Sequence, residues 1–179
     1  MFYVSDIKNT RPETCRTALQ EQVYDTLDRL RIPYERVDTD EAVTMADCTV
    51  INEKLDMKMV KTLFLCNRQK SSFFLFITRG DKPFRTKEFS QSLGVSRVSF
   101  APAELMNKML QTKAGAATVF SALLDPDKKI AVIFDSDILQ ETWYGCSDGT
   151  TTGHLKIKTA DILQVFLPFT RHEAAVIAV

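Results

Sequence analysis

Met59-Val60-Lys61-Thr62-Leu63-Phe64-Leu65-Cys66 and Phe73-Phe74-Leu75-Phe76-Ile77-Thr78, separated by Arg68-Gln69-Lys70-Ser71-Ser72, are the stretch whose reading decides the fold. Two short apolar runs rich in aromatic and branched side chains, joined by a polar turn, predict an antiparallel hairpin. One residue does not fit a buried strand. Lys61 stands near the start of the first run, where an ammonium is costly unless it is paired or reaches an anion at the sheet edge.

Working outward, Tyr34 to Val37 reads as a strand, and Thr44 can cap a second short helix holding Met45 and Ala46. Upstream, Thr10, Pro12 and Glu13 look like a helix start. Cys15, Ala18, Leu19, Val23, Leu27 and Leu30 then recur at helical spacing, which predicts a helix of about 19 residues stopped by Pro33. Downstream, Thr86 to Leu93 reads as a helix ended by Gly94, Val98 to Phe100 as a strand, and Pro102 as the start of another helix. Ile130 to Phe134 and Leu155 to Ile157 read as strands, and Thr159 to Phe166 as a capped helix. Strands interleaved with short helices predict an α+β fold with a mixed, largely antiparallel sheet and flanking helices. Residues 1–179 read as a single domain, with 1–10 as an N-terminal extension.

Composition narrows the function classes. The chain of 179 residues is 45% apolar and 26% charged, too apolar for a disordered acidic tail. Its 23 basic and 23 acidic residues cancel, unlike a globally basic nucleic-acid binder. No apolar run approaches the roughly 20 residues that span a bilayer, and Met1 to Asp6 lacks a signal-peptide pattern. A soluble, cytoplasmic protein is the expectation. The four cysteines lack a C-x-x-C pair and only two histidines are present, so reduced thiols and no metal site are expected. Asp125-Pro126-Asp127 reads as a turn rather than a metal site, and His154 and His172 as lone histidines.

Charge is segregated. Ten basic and three acidic residues lie between Lys54 and Arg97, a local excess of seven that the flanks cancel. Such a segment is either an anion-binding face or a set of ordinary solvated positions. Two later loops are built of small residues, at 114–118 and 145–153. Small residues let a ligand approach backbone N–H groups that can hold a carbonyl or phosphate oxygen. The alternative is that Lys61 only snorkels and the loops are plain turns. There is no phosphate loop, dinucleotide fingerprint or nucleophile elbow.

With these residues in view, the chain resembles the YbaK/prolyl-tRNA editing family. Lys61-Thr62-Leu63-Phe64-Leu65 is similar to that family's Lys-Asn-Leu-Phe-Leu strand. Phe89 to Phe100 resembles its Leu-Gly-x-x-x-Leu-Arg-Phe-Ala region, and Gly115 to Leu123 its Gly-x-Val-Ser-Pro-Phe-Gly-Leu loop. Ile130 to Asp135 resembles the next strand, and Gly145 to Leu155 the Gly-Phe-His-Pro-x-x-Asn-Thr-Ala-Thr-Val loop. Asp161-Ile162-Leu163 and Arg171-His172 resemble the closing helix and its tail. The likeness spans roughly residues 14–179. In length and ending it is nearest to the freestanding editing proteins that remove alanine mischarged on proline tRNA.

The resemblance implies a trans-editing deacylase that hydrolyses the ester of mischarged tRNA(Pro), with alanyl-tRNA(Pro) as substrate and neither metal nor cofactor. Its partners would be the tRNA acceptor end and prolyl-tRNA synthetase, with no membrane and no DNA. Lys61 would hold the phosphate or ribose of the terminal adenosine, and Gly115, Ala116, Gly145 and Ser147 would complete the catalytic set. Thr44, Thr62, Ala117, Thr118, Asp148 and Thr151 would bind substrate. The chain departs from the family pattern at Thr62 and Thr151 (both usually Asn), Val119 (Pro), Ser147 (His) and Asp148 (Pro). Those departures keep two rivals in view: a binding module of the same fold with altered chemistry, and a small-molecule hydrolase or nucleotide binder using the same cleft.

Overall fold

The computed structural model describes residues 1–179. The hairpin forms as the sequence predicts: β2 (Val60–Asn67) pairs antiparallel with β3 (Phe73–Arg79), Leu63 opposite Phe76 and Lys61 opposite Thr78. These two strands are the centre of a five-stranded sheet in the order β4-β2-β3-β5-β8. β4 (Val98–Phe100) joins antiparallel, whereas β5 (Ile130–Asp135) and β8 (Ala175–Ile177) join parallel. A second, three-stranded antiparallel sheet has β7 (Gly153–Lys158) between β1 (Glu35–Asp38) and β6 (Trp143–Ser147). The expectation of a mixed, largely antiparallel arrangement is met, but by two sheets. They meet where Met59, just before β2, bridges Gly145 in β6.

Side-chain alternation explains the layers. Along β3, Leu75 and Ile77 point into the larger core with Phe64, Val132 and Phe134, while Phe74 and Phe76 point to the other face with Leu65 and Ile133. The larger core is closed by α1 (Ala18–Arg29), by the 3₁₀ turn Val119–Leu124 and by the C-terminal helical segment. That segment runs through α6 (Thr159–Asp161), a π-helical turn at Ile162–Phe166 and α7 (Leu167–Thr170). The opposite face is covered by Phe89 of α3 (Thr86–Leu93), packed against Phe74 and Phe76. The three-stranded sheet turns Tyr144, Cys146, Leu155 and Ile157 to the larger core. On its other side Val37 meets Ile51 and Leu55 of α2 (Met45–Leu55). Two further helices, α4 (Ala103–Leu110) and α5 (Ser136–Leu139), complete the chain. No helix is long and apolar enough to cross a membrane.

Three expectations are corrected. The first helix begins at Ala18, not near Thr10: Thr17 is its cap, accepting from the Gln20 N–H at 3.0 Å, while the Gln20 side chain accepts from the Arg16 N–H. Residues 1–10, read as an N-terminal extension, run beside β1, where Val4 bridges Thr39 and Lys8 bridges Arg36. Much of the expected loop at 145–153 is strand, with only the segment between Ser147 and Gly153 turning. The basic segment is not one face: the hairpin carries Lys61 and Arg79 at one end and Arg68 and Lys70 at the other.

Candidate active site

A cleft of about 460 Å³ opens where the two sheets meet, lined by the start of β2, the end of β3, one side of α2, the loop before the 3₁₀ turn, and β6. Five of the residues singled out in the sequence line it: Lys61, Thr62, Gly115, Ala117 and Ser147. Side chains the sequence did not single out add Met45, Cys48 and Asn52 from α2, together with Arg79 and Trp143. α2 is fixed there by a capping box in which Thr44 and Asp47 bond each other's backbone. Thr44 thus serves as the cap of α2 and does not line the cleft. Trp143, the only tryptophan, stands at the rim, 38% exposed, with the Lys156 ammonium 4.5 Å from its ring centre.

Cations at this end of the hairpin are mostly matched. Arg79 pairs with Asp81 at 2.8 Å, Lys58 with Glu141 at 3.5 Å, and Lys82 with Asp135 and Asp137 at 2.8 and 2.9 Å. Lys61 alone among the basic residues lining the cleft has no carboxylate within 4 Å. Its ammonium donates to the backbone carbonyl of Lys82. Burial holds it below the ordinary lysine range, with Asp81 pulling the other way. An ammonium in this state is available to an anionic or oxygen-rich ligand entering the cleft.

The loop at 114–118 borders the same cleft through Gly115 and Ala117. Gly115 has φ +88, a conformation that side-chain-bearing residues rarely adopt, and a Cβ there would meet only open space. Ala116 is buried, and its N–H closes the turn onto the Lys113 carbonyl at 3.0 Å. The N–H groups of Gly115 and Ala117 donate to no backbone carbonyl, so two donors without a protein acceptor border the same cleft as Lys61. Thr118 is wholly buried and caps the 3₁₀ turn.

The loop after β6 is closed instead. The Ser147 hydroxyl accepts from the Gly149 N–H at 2.9 Å and lies 2.8 Å from the Thr150 carbonyl and 3.2 Å from that of Ala116. Asp148 turns away from the cleft: its buried side chain accepts from Gln20, the Tyr24 hydroxyl and Thr150. Thr151 is buried, its hydroxyl 3.2 Å from Glu41. Gly145 lies outside the lining, where β6 passes the segment between α2 and β2. A Cβ there would stand 2.9 Å from the Lys58 carbonyl and 2.6 Å from Met57 Sδ, so the sheets can meet this closely only at glycine. His154 is buried with Nε2 3.1 Å from the Thr39 hydroxyl, and burial pushes its pKa down. His172 pairs with Asp125 at 3.0 Å, and Asp125 also receives two backbone N–H groups, the turn chemistry expected of it. No group of three or more His, Cys, Asp or Glu is arranged to hold a metal ion.

A family model of the aminoacyl-tRNA editing domain matches residues 39–165, which contain the whole of this cleft lining. Over 124 residues the chain is 27% identical to the prolyl-tRNA editing protein ProX of Acetoanaerobium sticklandii, an alignment covering 67% of this chain and 73% of that protein. Among solved structures it superposes on a candidate trans-editing enzyme for prolyl tRNA synthetase with a TM-score of 0.63 at 13% identity, covering 92% of this chain and 99% of that one. A hypothetical protein gives a TM-score of 0.67 at 15% identity, over 87% and 98%. At such identities the structural likeness speaks for the fold alone.

Proposed function

The chain belongs to the aminoacyl-tRNA editing domain family, and from that premise we propose that it is a deacylase acting in trans on mischarged proline tRNA, with alanyl-tRNA(Pro) as its substrate. Residues 1–179 form one editing unit in this reading, with the tRNA acceptor end as its ligand and prolyl-tRNA synthetase as its partner. The observation that carries it is the joint placement, in one cleft, of an ammonium without a carboxylate partner at Lys61 and of unsatisfied N–H groups at Gly115 and Ala117.

The chemistry needs few parts. Water adds to the ester carbonyl, the carbonyl oxygen takes up negative charge, and the bond to the terminal ribose oxygen then breaks. The products are the free amino acid and a ribose hydroxyl that has gained a proton. The N–H groups of Gly115 and Ala117 are the donors suited to the developing oxyanion, an arrangement worth about 3 kcal/mol per donor in well-studied cases. Lys61 holds the terminal phosphate or ribose. Neither a side-chain nucleophile nor a metal ion is required, and assistance comes from the neighbouring ribose hydroxyl of the substrate. Such an enzyme has a use because a pocket shaped for proline rejects a smaller residue by only about 1–3 kcal/mol, so a second site that admits the smaller residue completes the sieve.

A binding module of the same fold is the second reading. Ser147 favours it, because it occupies the histidine position of the family motif and its hydroxyl is held by backbone groups. The test is a panel of mischarged tRNAs given to the purified protein. Release of alanine from alanyl-tRNA(Pro), with kcat/KM reduced at least about tenfold in Lys61→Ala, is the expected result. No release from any aminoacyl-tRNA overturns the enzyme reading. Salt-dependent tRNA affinity without turnover is then what the binding module predicts.

A further inference from the structure

On the face of the five-stranded sheet that α3 covers, Leu65, Phe74, Phe76 and Ile133 are apolar. At one edge this face turns polar all at once. Lys61 lies opposite Thr78, and Thr78 lies beside Asp135, so three neighbouring strands contribute one polar row. Asp135 is fully buried, and a carboxylate there is tolerable only with close donors. It has three: the Thr78 hydroxyl at 2.7 Å, the Lys82 ammonium at 2.8 Å and the Asp137 N–H at 3.1 Å.

Lys82 belongs to the loop that returns over this row after β3. Its side chain is fixed at both available acids, Asp135 and Asp137. Burial opposes its charge, but the two carboxylates outweigh this and raise its pKa, while the same contacts hold Asp135 below the usual carboxylate range. Pro83 follows, which restricts the Lys82 backbone to extended conformations. The carbonyl of this doubly restrained residue is the one that receives the Lys61 ammonium.

We propose that Lys82 is a positioning residue for Lys61: the clamp on Asp135 and Asp137 fixes the Lys82 carbonyl, and that carbonyl holds the Lys61 ammonium at the floor of the cleft. A lysine side chain has much rotamer freedom, and a pre-set ammonium meets its ligand with less of it still to lose. The inference rests on Lys61 being the residue that holds the tRNA end. Loss of the clamp therefore weakens binding more than chemistry.

The expected result for Lys82→Met is a roughly tenfold rise in KM for the aminoacyl-tRNA, with kcat within about twofold, and recovery in Lys82→Arg. The decisive arm is a double-mutant cycle. In a Lys61→Met background, Lys82→Met has no further effect if it acts through Lys61, whereas independent, multiplying losses overturn the proposal. Lys82→Met leaves Asp135 buried without its cation, so the triple variant Lys82→Met, Asp135→Asn, Asp137→Asn removes the clamp without a bare carboxylate and enters the same cycle. A readout independent of activity is the 15N signal of the Lys61 ammonium, identified by its absence in Lys61→Met. Its broadening or loss in the clamp variants, and its retention in Lys82→Arg, supports the proposal. An unchanged signal overturns it, even for a protein that hydrolyses no ester.

Discussion

The loops at 114–118 and 145–153 are both rich in small residues, the first mostly alanine and the second mostly glycine and threonine, yet they do opposite things. In the first, Gly115 is exposed, a Cβ on it would touch nothing, and the N–H groups of Gly115 and Ala117, both lining the cleft, donate to no backbone carbonyl. In the second, every residue from Tyr144 to Ile157 is buried, and Ser147, Asp148 and Thr150 bond to one another's segments or to α1. Composition marks both as places where backbone comes close to something. In one case that something is a ligand, and in the other it is the rest of the protein. Substitutions should therefore separate: damage to the second loop reads out as stability, and damage to the first as activity.

The largest effect is expected from Asp148→Ala. It strands Gln20, the Tyr24 hydroxyl and the Thr150 donors in a buried space, at a cost of roughly 3–5 kcal/mol. Thermal unfolding should fall by about 10 °C or more, and a midpoint within a degree or two of wild type would break the comparison.

Next comes a pH effect in the same buried region. His154 is held neutral by burial, its folded pKa below the ordinary value of 6.5, against the pull of Asp148 and Asp38. Below about pH 6.5 the unfolded chain binds the extra proton more readily, so this stability is fully present above that pH and is lost as pH falls. Unfolding midpoints measured from pH 7 down to pH 5 should decline less steeply in His154→Gln than in wild type. Parallel declines would remove His154 as the cause.

The smallest change in stability is expected at the open loop. Gly115→Ala costs about 1 kcal/mol from its positive φ and meets no clash, and backbone rotation that relieves this strain would turn the donor at the cleft. Deacylation by this variant should drop about a hundredfold while its melting point stays within a few degrees. Full activity in Gly115→Ala would remove that donor from the oxyanion site.

Much of this arrangement was legible in the residues, for reasons that can be named. The hairpin announced itself because both strands are buried and the turn between them is wholly polar. Gly94 marked the end of α3 because it takes a left-handed conformation, and Thr44 marked the start of α2 through its capping box. The first helix was misjudged because Cys15 continues the apolar spacing past a cap that only Thr17 and Gln20 together define. The strand Trp143–Ser147 hid behind Gly145, which here serves close packing against Met57 and Lys58, and Ser147, whose hydroxyl bonds to nearby backbone. β8 was missed because three residues, Ala175 to Ile177, carry no signal until β5 lies beside them. Within the site, Lys61 was visible as a misfit on an apolar strand. The clamp behind it joins Lys82 to acids 53 and 55 positions away, and no local pattern expresses that distance.

The two ends of the hairpin have a consequence for how the protein behaves in salt. Six residues of extended strand separate Lys61 from the turn that begins after Asn67, roughly 20 Å, and the screening length at physiological ionic strength is about 8 Å. The cations at Arg68 and Lys70 are thus electrostatically independent of those at the cleft. The neutral body carries two separate cationic spots, Arg68 with Lys70 at the turn and the unpaired Lys61 at the cleft, and its response to ionic strength will be that of whichever end is occupied.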